Sequence, residues 1–304
     1  MQRFTEYLFK HRWQTLALTF LWTFLPIIGT LSILPAALIT LRKGAVEGAV
    51  FTLAATLPYL ATLVHVPPQM TSTIIWVAVG ALIFSNFLTW MFALSLHQQK
   101  GLSQVLQWAA LLGMLLVSLV HLIFPNVMQW WEPQLLAYFN QTSELFSKLQ
   151  NNTAAPVSQI ELVNAIKYYF TGFIVAGMLL NAFIQLLIAR WWEAAVFKTK
   201  SLRRDLCQIR LNRLFGLFFL SGLVLSYLGN LVALDIMPIL YVLFAMAGLS
   251  LLHYVIAQSK TSKWFWIFLV YMGILLLLPF SVACVAGVGL LDVWFDFRSR
   301  LGSR

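Results

Sequence analysis

Charge is what this chain has least of: 10% of its 304 residues are charged, only ten of them acidic, against 61% hydrophobic. A soluble domain needs about a quarter of its residues charged. The composition therefore excludes a water-soluble fold of this size and leaves lipid as the solvent. Cysteine is almost as scarce. Cys207 falls in a polar segment and Cys284 in an apolar run, so no disulfide framework is implied and both are expected as free thiols. Motifs that name a reaction are missing too. There is no Gly-x-x-x-x-Gly-Lys-[Ser/Thr] phosphate loop, no His-Glu-x-x-His, no Gly-x-Ser-x-Gly elbow and no Cys-x-x-Cys, which argues against an ATPase of its own, a structural zinc, any other metal or a cofactor, and leaves no catalytic residue to name.

What is present is a series of apolar runs punctuated by basic residues. Spanning a bilayer as helix takes about 20 apolar residues, and the runs 44–64, 72–96, 103–124, 167–190, 214–233 and 237–257 meet this plainly. Two longer stretches, 13–41 and 264–294, carry Pro26 and Pro35 in the first and Pro279 in the second. Each reads as one kinked helix or as a hairpin of two short ones. The expected fold is an all-α membrane protein, a polytopic bundle of about eight transmembrane helices, or about ten with both hairpins, forming a single integral membrane domain over 1–304. The prolines, and the lack of a clean small-x-small cleavage site, read the N-terminus as a retained helix rather than a signal peptide.

Tracing the crossings with both termini on one side places every Lys and Arg on that side except Lys148 and Lys167. Positive residues near span ends are retained on the cytoplasmic face, so the expectation is a bacterial inner membrane protein with cytoplasmic termini. The same reading accounts for the formal charge of +10: it borders spans and faces anionic headgroups, and no soluble basic domain exists to bind nucleic acid.

Two segments outside the runs have a pattern of their own. The outer loop 125–166 contains an amphipathic helix starting near Pro133, with Leu135, Phe139, Phe146 and Leu149 opposite Gln141, Ser143 and Lys148, and with Trp130 and Trp131 at headgroup depth. Two Asn-x-Thr matches, at Asn140 and Asn151, are too short a pattern to carry weight. The basic segment 191–213 sets Leu202, Leu206 and Ile209 beside Arg203, Arg204 and Arg210, the pattern of a short helix against the inner headgroups or a docking surface for a soluble partner.

Polar residues inside spans should face the bundle interior. Gly177, Asn181 and Gln185 share one helical stripe, Asn86, Thr89 and Trp90 form a second patch, and Gly222, Ser226 and Asn230 a third. These are candidate ligand-binding groups for a small polar or amphipathic solute, or else interhelical glue. Classical proton coupling finds little support, because Glu47, Asp235, Asp292 and Asp296 fall at span ends, and the five histidines read as interfacial. Gly44-x-x-x-Gly48 and Ala45-x-x-x-Ala49 form a groove for close approach of another helix, from this chain or a partner subunit.

Two stretches resemble the YybS-like family of bacterial membrane proteins of unknown molecular role. The first is Ala189-Arg190-Trp191-Trp192-Glu193 with the basic run to Arg213; the second is the ending Gly289-Leu290-Leu291-Asp292-Val293-Trp294-Phe295-Asp296-Phe297-Arg298. The early Leu34-Pro35-Ala36-Ala37-Leu38 is also similar. Glu193 stands where the family has Gln, and Val196-Phe197-Lys198-Thr199-Lys200 replaces an Asn-Pro-Gly-Gly turn. The family looks distantly similar to the substrate-capturing membrane subunits of vitamin-type importers. That implies a small-molecule solute held in a helical bundle and a separate energising subunit docked on an Ala-x-x-x-Ala face, whose spacing Ala45 and Ala49 match. Candidate docking residues are then Ala45, Ala49, Arg190, Trp191, Trp192, Arg203, Arg210, Asp292, Asp296 and Arg298. Asp292, Asp296 and Arg300 share one helical face, so Asp296–Arg300 pairs at i, i+4 or the ending reaches Arg190 or Arg203.

The resulting expectation is a transport-associated, solute-binding membrane subunit that is not an enzyme. Alternatives are an envelope scaffold built on 191–213 and the outer helix, and a membrane-embedded lipid-modifying enzyme using Glu132, Glu144 or Glu161.

Overall fold

The computed structural model describes residues 2–25, 28–65, 73–149, 159–199, 202–258, 263–278 and 280–302, and these form an all-α membrane protein. Two short helices, α1 (Gln2–Lys10) and α2 (Arg12–Trp22), lead through a 3-10 turn (Ile28–Leu31) into α3 (Leu34–Lys43). Then come α4 (Ala45–His65), α5 (Thr73–His97), α6 (Leu102–Ile123), α7 (Val127–Leu149) and α8 (Gln159–Ile166). A 3-10 turn (Lys167–Tyr169) opens α9 (Phe170–Phe197), followed by α10 (Leu202–Leu206), α11 (Arg213–Tyr227), α12 (Leu231–Gln258), α13 (Lys263–Leu276), α14 (Phe280–Phe295) and α15 (Phe297–Gly302).

Helices α5, α6, α9 and α12 are long and apolar enough to cross a membrane; α4, α11, α13 and α14 are shorter apolar helices. Connectivity makes α4 and α11 cross as well. The start of α4 and the end of α5 meet where a Cβ on Gly44 would lie 3.3 Å from His97 Nε2, so the chain between must go out and return. Likewise α11 begins beside Arg210 and α12 ends beside Arg298, both at one end of the bundle.

Both proline-broken segments are pairs of short helices. At 11 and 10 residues, α2 and α3 each reach about 15 Å, half of a hydrocarbon core about 30 Å thick. They enter and leave at one level: Lys43 Nζ donates to the Phe9 carbonyl at 3.3 Å, and Arg12 pairs with Glu47 at 3.3 Å. The segment is therefore re-entrant. Pro35 sits in the first turn of α3, where its missing N–H costs nothing; Pro26 and Pro279 lie outside the described residues. The last apolar stretch folds back in the same way as α13 and α14, and α14 packs on α12 at backbone distance: a Cβ on Gly248 would lie 2.0 Å from Val285 O, and one on Gly289 2.3 Å from Phe244 O.

Lipid solvation accounts for the perimeter. Leu217 and Leu225 of α11, Phe268, Leu275 and Leu276 of α13, and Leu115, Leu119 and Leu122 of α6 are exposed, far more contiguous apolar surface than a soluble protein shows. The core is formed by α5, α6, α9 and α12 around Phe92, Val117, Phe183 and Phe244, with Phe219 of α11 set edge-on to Phe244 at 4.9 Å. At the opposite end from the basic residues, α7 begins at Val127 rather than near Pro133, which falls inside it. Val127, Met128, Trp131 and Leu135 of α7 bury against Val163 of α8.

Candidate functional site

Asn86, Thr89 and Gln185 are buried and Asn181 is half-buried, so the stripes of α5 and α9 meet, whereas Gly177 and, beyond α11, Asn230 are exposed. On α5 and α9, Thr89 Oγ1 donates to Gln185 Oε1 at 2.7 Å and Asn181 Nδ2 donates to Ser85 Oγ at 2.8 Å. Gln185 Nε2 donates to the Thr30 carbonyl at 2.9 Å. That last bond explains the cluster: Thr30 lies in the turn of the first re-entrant hairpin, where exposed backbone would be costly in hydrocarbon. Tyr59 gives the same support to the Gly29 carbonyl at 3.0 Å. The stripe holds the hairpin turn through Gln185, and among the described residues the buried Asn86 Nδ2 has no partner.

The third patch does not join the other two. Helix α11 packs on α12, where a Cβ on Gly222 would touch Met237 and Leu240. Among the described residues Ser226 Oγ finds no partner, and Asn230 accepts from the Ala233 amide at 2.9 Å, capping the start of α12. Trp90 Nε1 donates to the Ala45 carbonyl at 3.2 Å, joining α5 to the small-residue face of α4. Gly48 packs on Thr40 of α3, within this chain, and Ala45 and Ala49 remain half-buried.

Four of the ten candidate docking residues pair with one another, Asp292 with Arg298 and Arg210 with Asp296, and Arg190 and Trp192 bond to other residues of this chain. Arg298 donates to Asp292 Oδ2 at 3.2 Å, to the Ile209 carbonyl at 2.7 Å, to Ser250 Oγ at 3.1 Å and to the Cys207 carbonyl. Arg210 pairs with Asp296 at 2.9 Å. Arg190 pairs with Glu193 and with Asp205 at 3.5 Å, and Arg42 reaches Glu193 at 3.1 Å. Trp192 Nε1 donates to Thr5 at 2.9 Å. In place of the continuous helix that would set Asp296 against Arg300 at i, i+4, Asp296 has φ 46° and breaks the helix between α14 and α15. Its carboxylate turns to Arg210 instead. Burial pushes Asp296 up, but the hydrogen bond and charge of Arg210 outweigh it and hold the group below the ordinary carboxylate range. Burial also lowers Arg298, with the Asp292 carboxylate opposing it, and raises the Cys207 thiol against the charges of Arg203 and Arg298. Arg203 and Trp191 stay exposed beside a cavity of about 420 Å³ that also includes Leu206, His253 and Ile256.

A further constellation escapes the sequence reading. His121 of α6 and Asp235 of α12, expected at span ends, are buried together: His121 Nε2 lies 2.9 Å from Asp235 Oδ2, with side chains 7% and 2% exposed. The Gly172 amide of α9 donates to Asp235 Oδ1 at 2.6 Å, a contact possible because a Cβ on Gly172 would overlap the Asp235 carbonyl at 1.7 Å. Thr171 neighbours the same carboxylate and accepts from Trp131 Nε1 at 3.0 Å. Removing a carboxylate from water costs several kcal/mol unless donors replace it; here donors from α6 and α9 do so.

Thr171 and Trp131 are also part of the wall of a cavity of about 730 Å³ between α5, α6, α7 and α9. Leu116, Val120, Phe124 and Ile174 make it apolar, with Asn126, Thr171 and the two tryptophan edges as its few polar groups. Its size falls within the about 300–1,000 Å³ of small-molecule sites. A sequence signal for the pair exists: the nearest cations to Asp235 along the chain are Arg213 and Lys260, so an acid in so apolar a run must find its partner across space.

The family model described as "Predicted membrane protein (DUF2232)" matches residues 15–293. No curated protein and no solved structure matches the chain.

Proposed function

We propose that this chain, which belongs to the DUF2232 family of predicted membrane proteins, is a transport-associated, solute-binding membrane protein without its own ATPase. The solute site is the cavity over Thr171 and Trp131 rather than the amide stripe. The observation that carries this is the cavity's character: about 730 Å³ lined almost wholly by apolar side chains, with Trp130 and Trp131 in its wall. Such a site takes an apolar or amphipathic molecule with one small polar group, for which Thr171 and Asn126 are the available partners. In the amide stripe, Gln185 Nε2 is taken up by the Thr30 carbonyl of the hairpin turn and Gln185 Oε1 by Thr89.

On the charge asymmetry of the chain, the cavity opens toward the outer leaflet of a bacterial inner membrane, with both termini cytoplasmic. A separate energising subunit would dock at the basic end, where Trp191 and Arg203 are exposed. That same exposed corner is the observation that favours the alternative, an envelope scaffold. Native mass spectrometry of the protein released from detergent tests the first reading. A co-purifying small molecule lost on Thr171→Trp substitution, which fills the cavity, supports it. An empty protein that retains soluble partners through Trp191 and Arg203 favours the scaffold.

A further inference from the structure

The His121–Asp235 pair has a charge state that its surroundings dictate. With both groups deprotonated the site carries one negative charge in an apolar interior; with both protonated it carries one positive charge. Only with a single proton shared across the 2.9 Å contact is it neutral overall. Among the described residues, neither His121 nor Asp235 forms an ion pair with any other charged side chain. Lys167 of the 3-10 turn is paired with Glu132 of α7 at 2.8 Å. Glu161 lies on α8, and by sequence α7 also carries Glu144 and Lys148. The first turns of α5, the far end of α6 and the N-terminal half of α9 bring no further charge.

We infer that His121 and Asp235 together form a proton-binding site, holding one exchangeable proton, and that occupancy of the cavity is linked to that proton. The link is physical contact: Thr171 and Trp131 line the cavity, Trp131 donates to Thr171, and Thr171 with Gly172 sits on the Asp235 carboxylate. Neither His121 nor Asp235 lines the cavity, so the proton leaves through the Thr171 hydroxyl, which takes it from the carboxyl and passes its own on to water in the cavity; a carboxylate and a neutral imidazole remain, and no other bond changes. An apolar occupant expels that water, so it favours the neutral, singly protonated pair, and by reciprocity the protonated pair binds the occupant more tightly. Each pH unit by which occupancy moves the pair's titration appears as a tenfold change in affinity.

This coupling rests on the cavity being the ligand site, so two readouts are needed. The full-length protein in nanodiscs is labelled with 5-fluorotryptophan, the Trp131 resonance is assigned with Trp131→Phe, and its fluorine shift is followed from about pH 5 to about pH 10. Binding of the neutral apolar dye N-phenyl-1-naphthylamine is measured over the same range. Asp235→Asn and His121→Gln serve as variants that keep hydrogen-bonding groups in place. The expected result is a Trp131 titration in the unsubstituted protein that both variants abolish, and a dye affinity that falls at least tenfold with rising pH in the unsubstituted protein alone. A Trp131 resonance that does not move with pH, or moves identically in both variants, overturns the proton site. Dye binding that is independent of pH overturns the coupling while leaving the cavity reading intact. Titration without dye binding at any pH overturns the cavity reading and the coupling with it, and leaves the proton site standing.

Discussion

Gly172 is the sharpest place to test how α9 and α12 are held. Replacing it with alanine adds a single carbon whose ideal position is 1.7 Å from the Asp235 carbonyl oxygen and 2.8 Å from the carbonyl carbon. Both obstacles are backbone, so no rotamer change relieves them, and the helices must part by about 1.5 Å or more to reach ordinary contact. Overpacking of this kind costs about 1–3 kcal/mol. The same movement stretches the 2.6 Å bond from the Gly172 amide to Asp235 Oδ1, and a hydrogen bond to a charged group contributes about 1.5–3 kcal/mol. The expected total is about 2.5–6 kcal/mol. Gly177, less than two turns further along α9, is the control: a Cβ there meets nothing within 4 Å, and Gly→Ala in an open helix position is neutral or stabilising by up to about 1 kcal/mol. The assay is thermal unfolding of both variants in the same detergent, followed by tryptophan fluorescence. If Gly172→Ala melts with Gly177→Ala, the close approach of α9 to α12 and the carboxylate contact derived from it are refuted.

Three further outcomes are expected. Gln185→Leu removes the donor to Thr30 and the acceptor of Thr89, destabilising the hairpin turn by about 1–3 kcal/mol; a cysteine at Thr30 should become labelled faster by a membrane-permeant maleimide in this background, and an unchanged rate contradicts the support role. Arg298→Ala leaves the Asp292 carboxylate, 4% exposed, without its cation and releases the Cys207 and Ile209 carbonyls, a loss of about 3–5 kcal/mol, seen as new protease cleavage within 199–213 where the unsubstituted protein resists. For Asp296 the native group titrates below its unfolded value of about 3.9, so its pairing with Arg210 contributes fully above that pH and is lost as pH falls through the native value. Stability should thus be insensitive to Asp296→Asn in its pH dependence between about pH 5 and 8, and differ from the unsubstituted protein only in acid; a difference in slope near neutrality would contradict the assignment.

The inward turn of the amides on α5 and α9 could be read along the chain, the cavity over Thr171 and Trp131 could not, and the parts that could not share a cause. Asn86, Thr89, Asn181 and Gln185 were expected inward because amides in hydrocarbon need partners, and they are inward. Which amides met was not readable. Ser226 and Asn230 have the same helical spacing as Asn181 and Gln185, yet α11 lies against α12 and α14 and carries them elsewhere. His121 and Asp235 lie near the ends of apolar runs, and position along the chain is a linear measure that treats every span end as wet. Helices α7 and α8 cover that end, and their burying of Trp131 and Leu135 makes it dry. The C-terminal acids and arginines were recognised as a unit, but the positive φ at Asp296 redirects them from one another to the basic segment.

Lipid as the solvent, the number and place of the apolar segments, and the gathering of positive charge at one end are settled by the sequence alone, because hydropathy and charge add up locally along a chain. The tertiary structure alone decided that both terminal segments turn back, that Gln185 serves the Thr30 carbonyl 155 residues away, and that His121 and Asp235 meet across 114 residues. The cost of burying a polar group belongs to the group itself, but its partner is chosen by how helices pack. In this chain that choice turns on glycines such as Gly172 and Gly248, whose consequence becomes visible only when the facing helix is in place.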